Sequence, residues 1–177
     1  MKPYRLQEVR LSLVRSNHPT FQVGKPADIA RAFAHLSKRV REEFYAVFLD
    51  AANTVICVDR VSTGSIGKSL AEPAEVLRTA LLVGTRAIIL VHNHPSGSTT
   101  PSPDDRRITA AIAKAAKLFE IRVFDHIIIG HHGAYFSFAD AGLMTRAAHR
   151  RQTSSPHKTA TPLTRLDSKR DRHRTLP

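Results

Sequence analysis

The sequence predicts a single-domain α/β protein built on a mixed β-sheet with helices against its faces. Three observations point to it. β-rich and helical runs alternate in the order strands, helix, strand, helix, strands; the run RAIILV at 86–91 is apolar throughout after its first residue; and each helical run carries an apolar stripe. At 177 residues the chain is long enough for one substantial core and too short for two ordinary domains.

The elements follow in order. YRLQEVRLSLV at 4–14 alternates well enough for an edge strand, and PADIARAFAHLSKRV at 26–40 has helical spacing at Ile29, Phe33, Leu36 and Val40. Pro26 stands near that helix start, where its missing N–H does no harm. FYAVFLD and TVICVDRV read as two strands joined through DAAN, a hairpin turn, and a Gly/Ser loop follows. EPAEVLRTALLVG reads as a helix with Pro73 in its first turn and Gly84 as its stop. RAIILV is then a central strand covered on both faces. PDDRRITAAIAKAAKLFE is a helix with a stripe at Ile108, Ile112, Ala115 and Phe119, and IRVFDHIIIG and AYFSF close the domain as a hairpin around HHG. From Thr145 onward, Ser, Thr, Pro, Arg and Lys leave too little apolar surface to offset ordering, so a disordered tail is expected.

Composition narrows the function. The single cysteine, Cys57, excludes an internal disulfide, a four-cysteine zinc cluster and the Cys-x-x-Cys ligand pair of a zinc deaminase; it reads as a small buried hydrophobe in its strand. No signal peptide or membrane-length apolar run is evident, so a soluble, cytoplasmic protein is expected. The net charge of +12 sits in the flanks: residues 1–41 hold nine Lys/Arg against two acids, 145–177 nine against two, and 42–144 nine against eleven. Contact with nucleic acid would therefore be non-specific, would come from the ends and would weaken steeply with salt.

The chemistry concentrates in VHNHPSGSTTPSPDD, 91–105. A strand period of two carries His92 and His94 to one side and Asn93 to the other. Pro95-Ser96-Gly97 turns the chain, and Ser102-Pro103-Asp104-Asp105 returns at a helix start, where a carboxylate can approach the same point. Three protein ligands with an open position make a catalytic rather than a structural zinc site, and a nearby glutamate is then needed to move protons. Glu42 and Glu43 are the only adjacent pair of glutamates and precede a strand that could deliver one. The same segment also reads as a helix cap, with Ser102 at the N-cap, Pro103 next and acids near the positive end of the dipole. Both readings can hold at once. Asp125-His126 could suggest a dyad, but strand neighbours face opposite ways, so a core position or a place behind a ligand is the better reading. His131 and His132, in a Gly-bounded turn, read as solvated.

HNHPSGSTTPSPDD fits the pattern His-x-His, seven residues, Ser, two residues, Asp of the JAMM/MPN metalloprotease-like domains, and closely resembles the bacterial RadC family within them. EEFYAVFLDAANTVI, STGSIGKSL, PAEVLRTALLVGTRAIILVHNHPSG and FDHIIIG resemble that family in the same order, so the likeness covers roughly Tyr4 to Leu143. It implies a cytidine-deaminase-like, three-layer α/β/α sandwich and one zinc ion per chain. By position it implies His92, His94 and Asp105 as the zinc ligands, Glu42 as the catalytic glutamate with Glu43 as the fallback, and Ser102 as a stabiliser of the oxyanion, leaving Asp104 as the capping acid. The implied reaction is hydrolysis of a peptide or isopeptide bond in a protein substrate, with a non-catalytic DNA-repair-associated accessory or a metal-dependent nuclease as alternatives. The organisation is then an N-terminal strand and helix over 1–41, the catalytic core over 42–144 and the basic tail over 145–177. Where the family commonly reads Val-His-Pro-Arg-Glu, this chain has Ala71-Glu72-Pro73-Ala74-Glu75. The forty or so residues before Glu42 are too few for the helix-hairpin-helix DNA-binding module of full-length family members.

Overall fold

The computed structural model describes residues 20–64 and 71–144. The expected edge strand at 4–14, most of the STGSIGKSL loop and the basic tail lie outside them. A five-stranded sheet organises the rest: β1 (Glu43–Leu49), β2 (Val55–Thr63), β3 (Ala87–Asn93), β4 (Arg122–Ile129) and β5 (Tyr135–Ser137) stand in the order β2-β1-β3-β4-β5. The β3–β4 pair is parallel and the other pairs are antiparallel, which gives the mixed sheet expected. β3 occupies the middle, and all seven of its residues are buried, as its unbroken apolar run required.

Alternation along the strands divides the core in two. Phe44, Ala46 and Phe48 of β1 and Ile88 and Leu90 of β3 face α2 (Pro73–Val83) and α3 (Pro103–Lys117), where they meet Val76, Leu77, Ala80, Ile112 and Ala116. Val47, Leu49, Ile89 and Val91 face the other way, against Ile29, Phe33 and Leu36 of the N-terminal segment. Helices thus cover both faces, making three layers. Residues 26–38 form one layer of that sandwich. Among the described residues no helix is long and apolar enough to cross a membrane.

Local signals account for the element ends. α1 (Pro26–Ala32) begins with Pro26 and with Asp28 accepting hydrogen bonds from the Gly24 and Lys25 N–H groups. The DAAN turn is held by Asp50 Oδ1, which accepts from the Ala52 and Thr54 N–H groups, and Gly84 ends α2 at φ 64°.

Three expectations need correction. The helix foreseen over 26–40 stops at Ala32 and continues as a 3-10 turn, Ala34–Lys38; Arg39 is then extended as the chain runs toward β1, and Val40 is left 89% exposed. Cys57 is only half-buried, because β2 is an edge strand with one helix-covered face. The most buried stripe of α3 is Asp105, Thr109, Ile112 and Ala116; of the apolar stripe foreseen, Ile112 is buried and Ile108 and Ala115 pack partly buried beside it. Phe119 lies beyond the helix end, half exposed. A polar pair leads that stripe because it faces the end of β3, where the site lies.

Candidate metal centre

His92 is the sixth residue of β3 and shares the α3-facing side of the sheet with Ile88 and Leu90. It pairs across the sheet with Phe44, and the two rings stack at 5.9 Å. His94, just past the strand end, brings its Nε2 to 3.0 Å from His92 Nε2. The turn that follows closes with a bond from the Gly97 N–H to the His94 carbonyl at 2.8 Å. Gly97 has a φ of 78°, and a Cβ there would overlap the His131 ring, so only glycine lets the turn pack against the β4–β5 connection. His131 and His132 are exposed in that connection and stand outside the group that converges on His92.

The chain returns at the N-terminus of α3. Ser102 caps it, its hydroxyl accepting from the Asp105 N–H at 3.1 Å while Asp105 Oδ2 accepts from the Ser102 N–H at 2.6 Å. That reciprocal bond uses one carboxylate oxygen and aims the other at the histidines. Asp105 Oδ1 lies 3.1 Å from His92 Nε2, yet this buried oxygen has no hydrogen-bond partner. Oδ2 is 3.4 Å from His94 Nε2. Capping and convergence on the histidines therefore occur together. Asp104 instead pairs with Arg107 in solvent.

Glu42 completes the cluster: its Oε1 is 3.6 Å from His92 Nε2, and one ligand atom each from Glu42, His92, His94 and Asp105 lie within 4.8 Å of one another. Glu43 points to the opposite face of β1, where it accepts from the Tyr45 hydroxyl at 2.6 Å and pairs with Arg39 at 3.4 Å. Asn93, turned away from the histidines, holds the peptides on both sides of Glu42. Its Oδ1 accepts from the Glu43 N–H at 2.9 Å and its Nδ2 donates to the Arg41 carbonyl at 3.1 Å. The His92 and Asp105 side chains are sealed from solvent, whereas Glu42 is 27% and His94 16% exposed. The cluster opens on the Glu42 side.

Two interactions here have partners that no sequence signal names. Asn93 could be placed only on the opposite face, and nothing in the sequence said what it held. His126 Nε2 lies 2.8 Å from His92 Nδ1, and its own Nδ1 lies 2.6 Å from Thr109 Oγ1. A core position or a place behind a ligand is the expectation for His126, and the structure places it there; the Thr109 contact, from a helix residue four positions after Asp105, is the part without a signal. Asp125 forms no dyad with the His126 ring: its carboxylate accepts from the His126 and Ala139 N–H groups and the Ser137 hydroxyl, tying β4 to β5.

The electrostatics match a cation site. Burial alone would raise the Asp105 carboxyl, but the imidazoles of His92 and His94 and the Ser102 hydrogen bond outweigh it and hold the group well below the usual carboxylate range. The hydrogen bond to Asp105 raises the His94 pKa; burial opposes the rise, and the charge of Asp105 and the Ser98 carbonyl add to it. Burial raises the Glu42 carboxyl, against the opposing charges of His92 and His94. Burial, reinforced by His92, pushes His126 well below its ordinary value and keeps it neutral. Without a cation, the nearby carboxylate favours a proton on His94. A divalent metal competes with that proton, so uptake at a pH where His94 carries it should release protons, and apparent affinity should fall as pH drops. Calorimetry in buffers of different ionisation enthalpy measures that release.

The donor set suits a metal. Two imidazole nitrogens and a buried carboxylate oxygen lacking a partner are compatible with zinc, while the fourth group, Glu42, stands at the open side. The comparison with known proteins agrees with this geometry. Residues 23–143 match the family model described as RadC-like JAB domain. The chain is 44% identical over 117 residues to the UPF0758 protein STH371 of Symbiobacterium thermophilum, covering 66% of this chain and 48% of that protein. It is 38% identical over 141 residues to a UPF0758 protein of Histophilus somni, covering 80% of this chain and 60% of that one. The match thus spans only about half to three-fifths of these relatives' length. With most of the described fold matched and the His-x-His…Asp cluster formed at the end of β3, the chain belongs to the RadC-like JAB domain family.

Proposed function

We propose that this domain is a zinc-dependent, cytoplasmic hydrolase that cleaves a peptide or isopeptide bond in a protein substrate. The observation that carries the reading is the convergence of His92 Nε2, His94 Nε2 and the partnerless Asp105 Oδ1 beside a half-open glutamate. His92, His94 and Asp105 would hold the zinc and leave a position for reactants, as catalytic sites do. When bound, zinc supplies Lewis acidity, making water easier to deprotonate and a carbonyl easier to attack.

The remaining steps fall to side chains of this protein. Glu42 Oε1 takes a proton from the attacking water and returns it to the departing amide nitrogen, so the C–N bond breaks as an amine and a carboxylate form. A carboxyl raised by burial suits a group that must both accept and give that proton near neutral pH. The Ser102 hydroxyl accepts from the Asp105 N–H through its oxygen, and its own proton is available to the substrate oxygen as negative charge develops there. The basic flanks add at most salt-sensitive, non-specific attraction to nucleic acid.

The test is an assay of the zinc-loaded protein on a panel of linear and isopeptide-linked fluorogenic peptides. Turnover that a chelator abolishes and zinc restores is expected. No turnover by protein shown to carry one zinc per chain would overturn the peptidase reading, and chelator-sensitive cutting of DNA would replace it with a nuclease.

A further inference from the structure

Behind His92, on the side away from the cluster, a file of polar groups is buried where an apolar core would serve packing equally well. His92 Nδ1 meets His126 Nε2 at 2.8 Å, His126 Nδ1 meets Thr109 Oγ1 at 2.6 Å, and Thr109 Oγ1 meets the Asp105 carbonyl oxygen at 2.5 Å. His92 and His126 are fully buried and Thr109 nearly so. Three elements contribute: β3, β4 and α3.

The direction of the hydrogen bonds along this file is fixed from its far end. A backbone carbonyl only accepts, so the Thr109 hydroxyl spends its single proton on the Asp105 oxygen. Thr109 Oγ1 must then accept from His126, which places the His126 proton on Nδ1 and leaves Nε2 an acceptor. His92 must donate to that acceptor from Nδ1, and its Nε2 keeps the lone pair that faces His94 and Asp105. We infer that His126 and Thr109 are positioning residues of the metal centre: they fix the Nδ1–H tautomer of His92 and tie its ring orientation to the helix that carries Asp105. This rests on reading His92, His94 and Asp105 as metal ligands.

Metal-bound histidines ordinarily give their second N–H to a carboxylate, a carbonyl or water. Here the proton goes to a neutral imidazole, and the file ends on the main chain of another ligand. Two ligands that reach the site from different elements are therefore coupled through His126. A change in the His92 ring is felt at the first turn of α3.

The experiment uses the full chain, with ring-nitrogen NMR of His92 and titration by Zn2+ and Co2+. His126→Phe retains an aromatic ring between Phe44 and Phe138, whose centroids lie 5.4 and 4.9 Å from that of His126, but removes the acceptor. Thr109→Val removes the hydroxyl at nearly constant shape, and Thr109→Ser restores it. Wild type is expected to show one His92 tautomer with Nδ1 protonated, even without metal. His126→Phe should weaken Zn2+ binding by roughly 10- to 100-fold and alter the Co2+ absorption bands. Thr109→Val should produce a mixture of His92 tautomers with a smaller affinity loss, and Thr109→Ser should recover both. If folded Thr109→Val and His126→Phe keep the single Nδ1–H tautomer, the wild-type affinity and the wild-type Co2+ spectrum, the inference fails while the ligand assignment stands. If wild type takes up no Zn2+ or Co2+, the ligand assignment fails first, and the tautomer measurement on the metal-free protein still reads the file of hydrogen bonds.

Discussion

Asp105→Asn is expected to abolish metal binding while leaving the fold intact, because the two jobs of this carboxylate fall on different oxygens. Oδ2 holds the Ser102 N–H and caps α3; an asparagine amide oxygen can take over that acceptor role. Oδ1, the buried atom with no partner, becomes an NH2 group that can donate to an imidazole Nε2. The loss in Zn2+ affinity should exceed about 100-fold, since even groups that only orient a ligand contribute roughly 10- to 100-fold. Stability of the metal-free protein should respond in a pH-dependent way. The His94 pKa is raised in the folded wild type by Asp105, so its stabilisation is fully present below the unfolded value and is lost as pH rises through the folded one. The variant lacks that contribution. In chelator, thermal melts should therefore show wild type losing stability relative to Asp105→Asn as pH rises. Equal melting curves at every pH, or full zinc retention by the variant, would contradict the assignment.

Glu42→Gln should separate binding from chemistry. The amide keeps the shape and polarity of the side chain but cannot take a proton from water, so hydrolysis should fall by about 10²- to 10⁴-fold, the usual contribution of a general base. Zinc stoichiometry should stay at one per chain, with affinity within a few-fold, since Glu42 stands at the open side of the cluster and His92, His94 and Asp105 remain. A loss of zinc comparable to that of Asp105→Asn would show instead that Glu42 is a fourth ligand and the site a closed one. Glu43→Gln is the matched control: it touches Tyr45 and Arg39 on the other face of β1, so its effect should appear in stability and not in turnover.

Much of the fold was legible because its signals are local. A short unbroken apolar run between turn signals fits a strand buried on both faces, and β3 lies at the centre of the sheet with every residue covered. Pro73 and Gly84 bracket α2 because one lacks an N–H that a helix start does not need and the other adopts a positive φ without cost. His-x-His at a strand end and Ser-x-x-Asp at a helix start are likewise local, and they identified the residues that the fold brings together. The failures were also physical. Periodicity gives the spacing of a stripe but not where a helix breaks, so it extends to Val40 a face that the chain leaves after Leu36.

What the sequence determined by itself was the order of elements, the central strand and the three ligand candidates, each set by interactions within a few residues. The residues alone leave Glu42 and Glu43 open and the resemblance favours Glu42; the tertiary structure brings Glu42 to the histidines, because that depends on the face of β1 turned to α3. It also decided how the groups behind the ligands pair. Asn93 grips a peptide 50 residues away, His126 meets His92 across 34 and Thr109 across 17. No local pattern encodes such pairings, since a buried polar group finds its partner only when packing brings it within reach and excludes water.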